Sequence, residues 1–161
     1  MISEIVEKKT LKMDNVLHYH ALNTQTEINE AFQKIDRLLL ENNIKKNGHI
    51  CTATRNIEVK NGITYLDFDI FVPLEKALEC SPPFEIIEHF EVNNALMIRI
   101  EGSPQQSDKA MAMLSEFIKS KNYQPTTPAI IATIKGANTP SEIDEMIMEI
   151  YVGVKDSQND K

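Results

Sequence analysis

The chain repeats itself, and a repeat constrains a fold more than any single motif, because each copy must build the same local structure. Adding 79 to first-half positions sets Asn15 on Asn94, Leu17 on Leu96, Ala31 on Ala110, Ile35 on Leu114 and Asn43 on Asn122. The same step sets Ala53 and Thr54 on Ala132 and Thr133. One further residue makes the offset 80, and "FDIFVPL" (68–74) then lies on "MEIYVGV" (148–154). Asp69 falls on Glu149, Ile70 on Ile150, Phe71 on Tyr151 and Val72 on Val152. The chain reads as a tandem duplication.

Hydrophobic spacing says what each copy contains. Ile28, Ala31, Phe32, Ile35, Leu38 and Leu39 recur at three- and four-residue steps, which predicts a helix capped by Thr26 and stopped by Asn42, Asn43 and Gly48. A second helix is predicted from about Pro104 to Lys121, burying Ala110, Met113, Leu114, Phe117 and Ile118 behind a Ser103-Pro104 start. Strands are predicted at 15–22, 49–54 and 63–74 around the first helix, with a hairpin turn at 60–62. Around the second they fall at 84–102, with a break or bulge at Asn93-Asn94, at 129–134 and at 146–154. The expected fold is α+β: tandem duplicated βαββ units forming an antiparallel sheet, two long helices on one side, and a cleft between the halves. One domain is expected, of two pseudo-symmetric halves (about 14–74 and 84–154), a linker at 75–83 and a polar tail at 155–161. Glu75 to Glu79 in that linker are expected to form a short helical turn.

Strand side chains alternate, so parity assigns faces. Met146, Met148, Ile150, Val152 and Val154 share the helix-facing side, and Ile147, Glu149, Tyr151 and Gly153 point the other way. In the first half Leu66, Phe68, Ile70, Val72 and Leu74 face in, against Tyr65, Asp67, Asp69 and Phe71. On the leading strands Leu17, Tyr19 and Ala21 match the inward Leu96, Ile98 and Ile100, leaving His18, His20, Met97, Arg99 and Glu101 outside. Tyr65, Phe71, Met97, Ile147 and Tyr151 are therefore expected to form an exposed apolar patch that finds a partner. An aromatic-lined sheet face with a few acids suits a small molecule. A carboxylate there pairs with a ligand cation, and aromatic faces add about 0.5–2 kcal/mol of cation–π attraction.

Composition closes other routes. With 42% hydrophobic and 25% charged residues, the chain of 161 residues is ordinary for a soluble globular protein. No apolar run reaches membrane-spanning length, and the N-terminus lacks a signal-peptide core, so a cytoplasmic location and no membrane partner are expected. A net charge of −7 argues against nucleic acid as the main partner. Cys51 and Cys80 make neither a disulfide framework nor a metal knuckle. His18 and His20, with Glu101, leave a zinc set without a firmly placed third ligand, so no metal is expected. No glycine pattern cradles phosphate, no serine or cysteine has a nucleophile's arrangement, and no cofactor is expected.

Two βαββ halves, an acid within the closing "E-I-Y-V" (149–152) and a proline-ended "F-V-P-L" (71–74) together resemble the GyrI-like small-molecule-binding domain, also called the AraC-type effector-binding domain. The resemblance covers roughly 14–154. It departs from the family at Gly153, where a proline is usual, and at Ile100-Glu101-Gly102, where the family carries "H-x-G". Such domains stand alone or follow a DNA-binding helix-turn-helix, and the stand-alone form is expected here. The resemblance implies an amphipathic or cationic ligand in the cleft between halves, met by Glu149. Some relatives resemble hydrolases, for which Glu149 would be the base and Tyr151 its helper. The candidate ligand-binding residues are Glu149, Tyr151, Asp69, Phe71, Tyr65, Met97, Arg99, His18 and His20. The alternative use of the same face is docking of a protein partner or a second copy, as in a gyrase inhibitor or an accessory to a secretion or toxin system.

Overall fold

The spacings above become regular elements in a computed structural model that describes residues 1–156. In chain order these are β1 (Val6–Asn23), α1 (Gln25–Glu41), β2 (Cys51–Lys60), β3 (Ile63–Pro73), β4 (Phe84–Glu101), α2 (Ser107–Ser120), β5 (Tyr123–Pro125), β6 (Ile130–Lys135) and β7 (Ile147–Asp156). Short 3-10 turns occupy Pro104–Gln106 and Pro140–Glu145. The class is α+β with antiparallel pairing.

Local chemistry explains most boundaries. Thr24, not Thr26, caps α1: its hydroxyl accepts from the Glu27 amide, and the Glu27 carboxylate accepts from the Thr24 amide. This reciprocal box satisfies two backbone donors that the first turn leaves orphaned. Asn43 ends the helix in the left-handed region at φ 51°, which asparagine tolerates better than most residues. Ser103 caps the 3-10 turn at Pro104–Gln106 rather than α2 itself, so α2 begins only at Ser107. Glu75–Glu79 does not form the expected helical turn. It runs irregularly while Leu78 joins the core and the Glu75 amide donates to the Lys45 carbonyl. β1 exceeds its predicted length and β4 runs through its predicted break, because each passes one left-handed asparagine, Asn15 and Asn94, without ending. Lys155 and Asp156, read as tail, are the last residues of β7 and pair with β5. The rest of that tail, 157–161, lies outside the described residues.

The chain divides into two units, Lys12–Phe90 and Met1–Leu11 with Glu91 onward. In the first, β3 runs antiparallel to β1 and to β2, and α1 lays Ala31, Ile35 and Leu39 on Leu17, Tyr19, Ile70, Val72 and Leu74. In the second, β7 pairs with β4 and β6 and, at its far end, β5. There α2 lays Ala110 and Leu114 on Leu96, Ile98, Ile100, Ile150 and Val152, and Ile2 and Ile5 pack against the same core. Removing one such isoleucine side chain from water stabilises by about 1.5–3 kcal/mol.

The registers repeat with the sequence. His20 lies opposite Asp69 as Arg99 lies opposite Glu149, and Ala53 faces Asp69 as Ala132 faces Glu149. A bulge interrupts β2 between Thr54 and Asn56 and β6 between Thr133 and Lys135. The left-handed asparagines also recur as pairs, Asn15 with Asn94 and Asn43 with Asn122.

Gly153 breaks the repeat for a steric reason. A Cβ there would lie 2.6 Å from Thr126 Oγ1 and 2.9 Å from Val92 Cγ1. Its N–H donates to Thr127 Oγ1 at 2.9 Å, and its carbonyl accepts from the Thr126 amide. Proline would supply neither the space nor the donor.

Candidate functional site

The acids singled out by parity are found on the helix-free side of their strands, each among polar partners. In the unit Lys12–Phe90, Asp69 is buried to 1% exposure. Arg55 donates to it through Nε at 2.6 Å and a terminal nitrogen at 3.1 Å. His18 donates to it from Nε2 at 2.8 Å and to Glu85 from Nδ1, also at 2.8 Å. A ring that donates from both nitrogens carries a positive charge. Phe71 stacks on His18 with centroids 4.7 Å apart and also meets Phe90. Arg55 is the extra residue of the β2 bulge, and a bulge re-aims the side chain it carries.

Electrostatics fix the protonation of this cluster. Burial disfavours the charged His18 ring, but hydrogen bonds and charge from Asp69 and Glu85 outweigh it and hold its pKa above the ordinary 6.5. Burial likewise disfavours ionised Asp69, yet His18 and Arg55 hold its carboxyl below the ordinary 3.8. The signs then follow from which state binds protons more tightly. The His18 contribution to stability is fully present below pH 6.5 and is lost as pH rises through the raised folded value. The Asp69 contribution is present above pH 3.8 and is lost as pH falls through the lowered folded value. Urea unfolding across pH should therefore show a plateau between 3.8 and 6.5 with a decline on each side. In His18→Gln the alkaline decline should flatten, and an unchanged profile would exclude His18 as its cause.

In the other unit Glu149 retains 16% side-chain exposure. The Tyr151 hydroxyl donates to Oε1 at 2.8 Å, and an Arg99 terminal nitrogen donates to Oε2 at 3.2 Å. Arg99 also donates from Nε to Glu101 at 3.1 Å. Its backbone is fixed from the other side, where Ser3 bonds both its amide and its carbonyl. Met97 is buried beside this group on β4, opposite Tyr151.

Two groups of candidates are thus assembled: His18, Asp69 and Phe71 in one unit, and Met97, Arg99, Glu149 and Tyr151 in the other. His20 turns instead to Asp67. Tyr65 lies further along β3 beside the Lys60 amine, away from Asp69. The expected exposed patch is corrected by the structure, because Phe71, Met97 and Tyr151 are all buried. Parity gives the side of a strand but not what covers it, and for Phe71 the covering includes His18 and Phe90. As an open docking patch this face therefore offers little. Arg55 and Glu85 were missed by the sequence reading. Arg55 lies one residue beyond the predicted strand at 49–54 and joins β2 only in the structure, and nothing local points Glu85 at His18.

Two grooves lie elsewhere. One of about 630 Å3 is lined by Lys34, Arg37 and Leu38 of α1 and by Pro82, Pro83 and Phe84. The other, about 670 Å3, is lined by Ile5, Met113, Glu116 and Phe117. They are repeats of one place, since Lys34, Arg37 and Leu38 correspond to Met113, Glu116 and Phe117. Neither reaches Asp69 or Glu149, so the chemistry of the acids, and not groove size, selects the candidate site. Among the described residues no three His, Cys, Asp or Glu side chains are grouped to hold a metal ion. No helix among them is long and apolar enough to cross a membrane.

No family model and no curated protein matches the chain. Solved structures do. The C-terminal domain of EcmrR superposes with a TM-score of 0.71 at 13% identity, over 96% of this chain and 97% of that one. The chain spans 57% of the EcmrR chain seen in its DNA complex. An uncharacterised conserved protein from Listeria innocua gives 0.62 at 10% identity, over 92% and 93% of the two chains. A hydrolase from Listeria innocua gives 0.57 at 8%, over 94% and 91%. At these identities the likeness is one of fold.

Proposed function

We propose that the chain is a GyrI-like effector-binding module, descended from a duplicated βαββ unit, that takes an amphipathic or cationic compound at Glu149. The observation carrying this reading is a carboxylate on a helix-free strand face, largely withdrawn from water, with an aromatic hydroxyl on one oxygen. Its other oxygen is held by an arginine whose side chain is still 37% exposed. A carboxylate so placed is desolvated enough to value a cation and open enough to exchange its partner. The fold shared with the EcmrR C-terminal domain and the closing-strand resemblance support the same reading.

The test is calorimetric titration with methyltriphenylphosphonium, a hydrophobic monocation. Wild type should bind, and Glu149→Gln should weaken binding by about tenfold or more, the scale of one charge-assisted contact. Equal affinity for both proteins would remove Glu149 from the site.

A further inference from the structure

The two repeats hold their acids differently, and the difference says which one a ligand reaches. Asp69 is closed, with Arg55 on both oxygens, His18 on one of them and 1% exposure. Glu149 is held by one guanidinium contact at 3.2 Å, and the same guanidinium already has a second acid, Glu101, at 3.1 Å. Glu101 is the more exposed of the two, at 53% against 16%. Arg99 therefore stands between an inner and an outer carboxylate while its backbone is held by Ser3 on the N-terminal segment.

We propose that Arg99 is an internal stand-in for the ligand's cation: it holds Glu149 until a cationic compound takes its place, and then rests on Glu101. This deepens the reading of Glu149 as the ligand-contacting acid and rests on it. The physical argument is charge balance. At Asp69 the second cation, His18, has its own further acid in Glu85, whereas a monocation brought to Glu149 while Arg99 stays there brings none, and the like-charge contact opposes binding. Moving the guanidinium to Glu101 relieves the repulsion without leaving arginine unpaired. Backbone anchoring at Ser3 lets the side chain move while the strand stays in register. Arg99 then sets specificity, because only a ligand that carries its own positive charge replaces what Glu149 loses. A neutral compound of the same bulk gains nothing from the exchange.

The experiment titrates methyltriphenylphosphonium, and neutral triphenylphosphine oxide as its control, into wild type, Arg99→Gln, Glu101→Gln, the double variant and Glu149→Gln. Thermal unfolding of each variant confirms that it is folded. Arg99→Gln should tighten the cation by about tenfold and leave the neutral compound within about twofold, since only the competing charge is lost. Glu101→Gln should weaken the cation several-fold, because Arg99 then has nowhere else to rest. Introduced on top of Arg99→Gln, the Glu101 change should have no effect. If it weakens the cation equally in both backgrounds, the charges act only through space and the displacement is overturned. An Arg99→Gln affinity equal to or weaker than wild type overturns it too. Failure of the underlying reading looks different: wild type and Arg99→Gln both ignore the cation, or Glu149→Gln binds it as wild type does.

Discussion

Asp69→Ala is expected to destabilise the unit Lys12–Phe90 by about 2–4 kcal/mol, read as a fall in its urea midpoint. The size follows from what is left behind. Asp69 is fully buried and accepts from two positive groups. Arg55, with its side chain about half exposed, recovers hydration when the acid is removed. His18 cannot do so as readily, since its ring is buried under Phe71 and keeps only Glu85. Asp69→Asn keeps the shape without the charge and should recover less than half of the loss. A cost below about 1 kcal/mol for the alanine variant, the range of ordinary surface changes, would show that the cluster does not support the fold.

Ile70→Ala and Ile150→Ala should each cost about 2–5 kcal/mol, because both positions are fully buried and alanine leaves a cavity that the neighbours fill only in part. The two residues are repeats of each other on the central strands β3 and β7, each within its own unit's core. Hydrogen exchange should separate them. Ile70→Ala should expose amides of Lys12–Phe90 first, and Ile150→Ala those from Glu91 onward. If either change released all protected amides together, the units would not be separate cooperative elements.

Part of the placement of these residues is legible in the sequence itself. The 79-residue step predicts that Asn94 repeats the backbone of Asn15, and both are left-handed. Alternation in "MIMEIYVGV" puts Ile150 in the core and Glu149 away from it, and Ile150 is indeed inaccessible while Glu149 bonds to polar neighbours. What misled was the step from side to exposure. Phe71, Met97 and Tyr151 lie on the predicted side and are nonetheless buried. The cap at Thr24 was a near miss, because Thr24 and Thr26 both precede the apolar stripe and only the Glu27 carboxylate distinguishes them.

Period and parity are properties of neighbouring residues, set by strand pleat and helix pitch, so the sequence by itself determined the repeat, the cores and the side on which each acid stands. The partners of those acids come from far along the chain: His18 is 51 residues from Asp69 and 67 from Glu85, and Arg99 is 50 from Glu149. Arg55 is nearer, yet it reaches Asp69 only because β2 bulges there. Which acid is locked by two cations and which is held by one arginine with a second place to rest was decided by the tertiary structure. Strand pairing and bulges set those side-chain distances, and no local pattern encodes them.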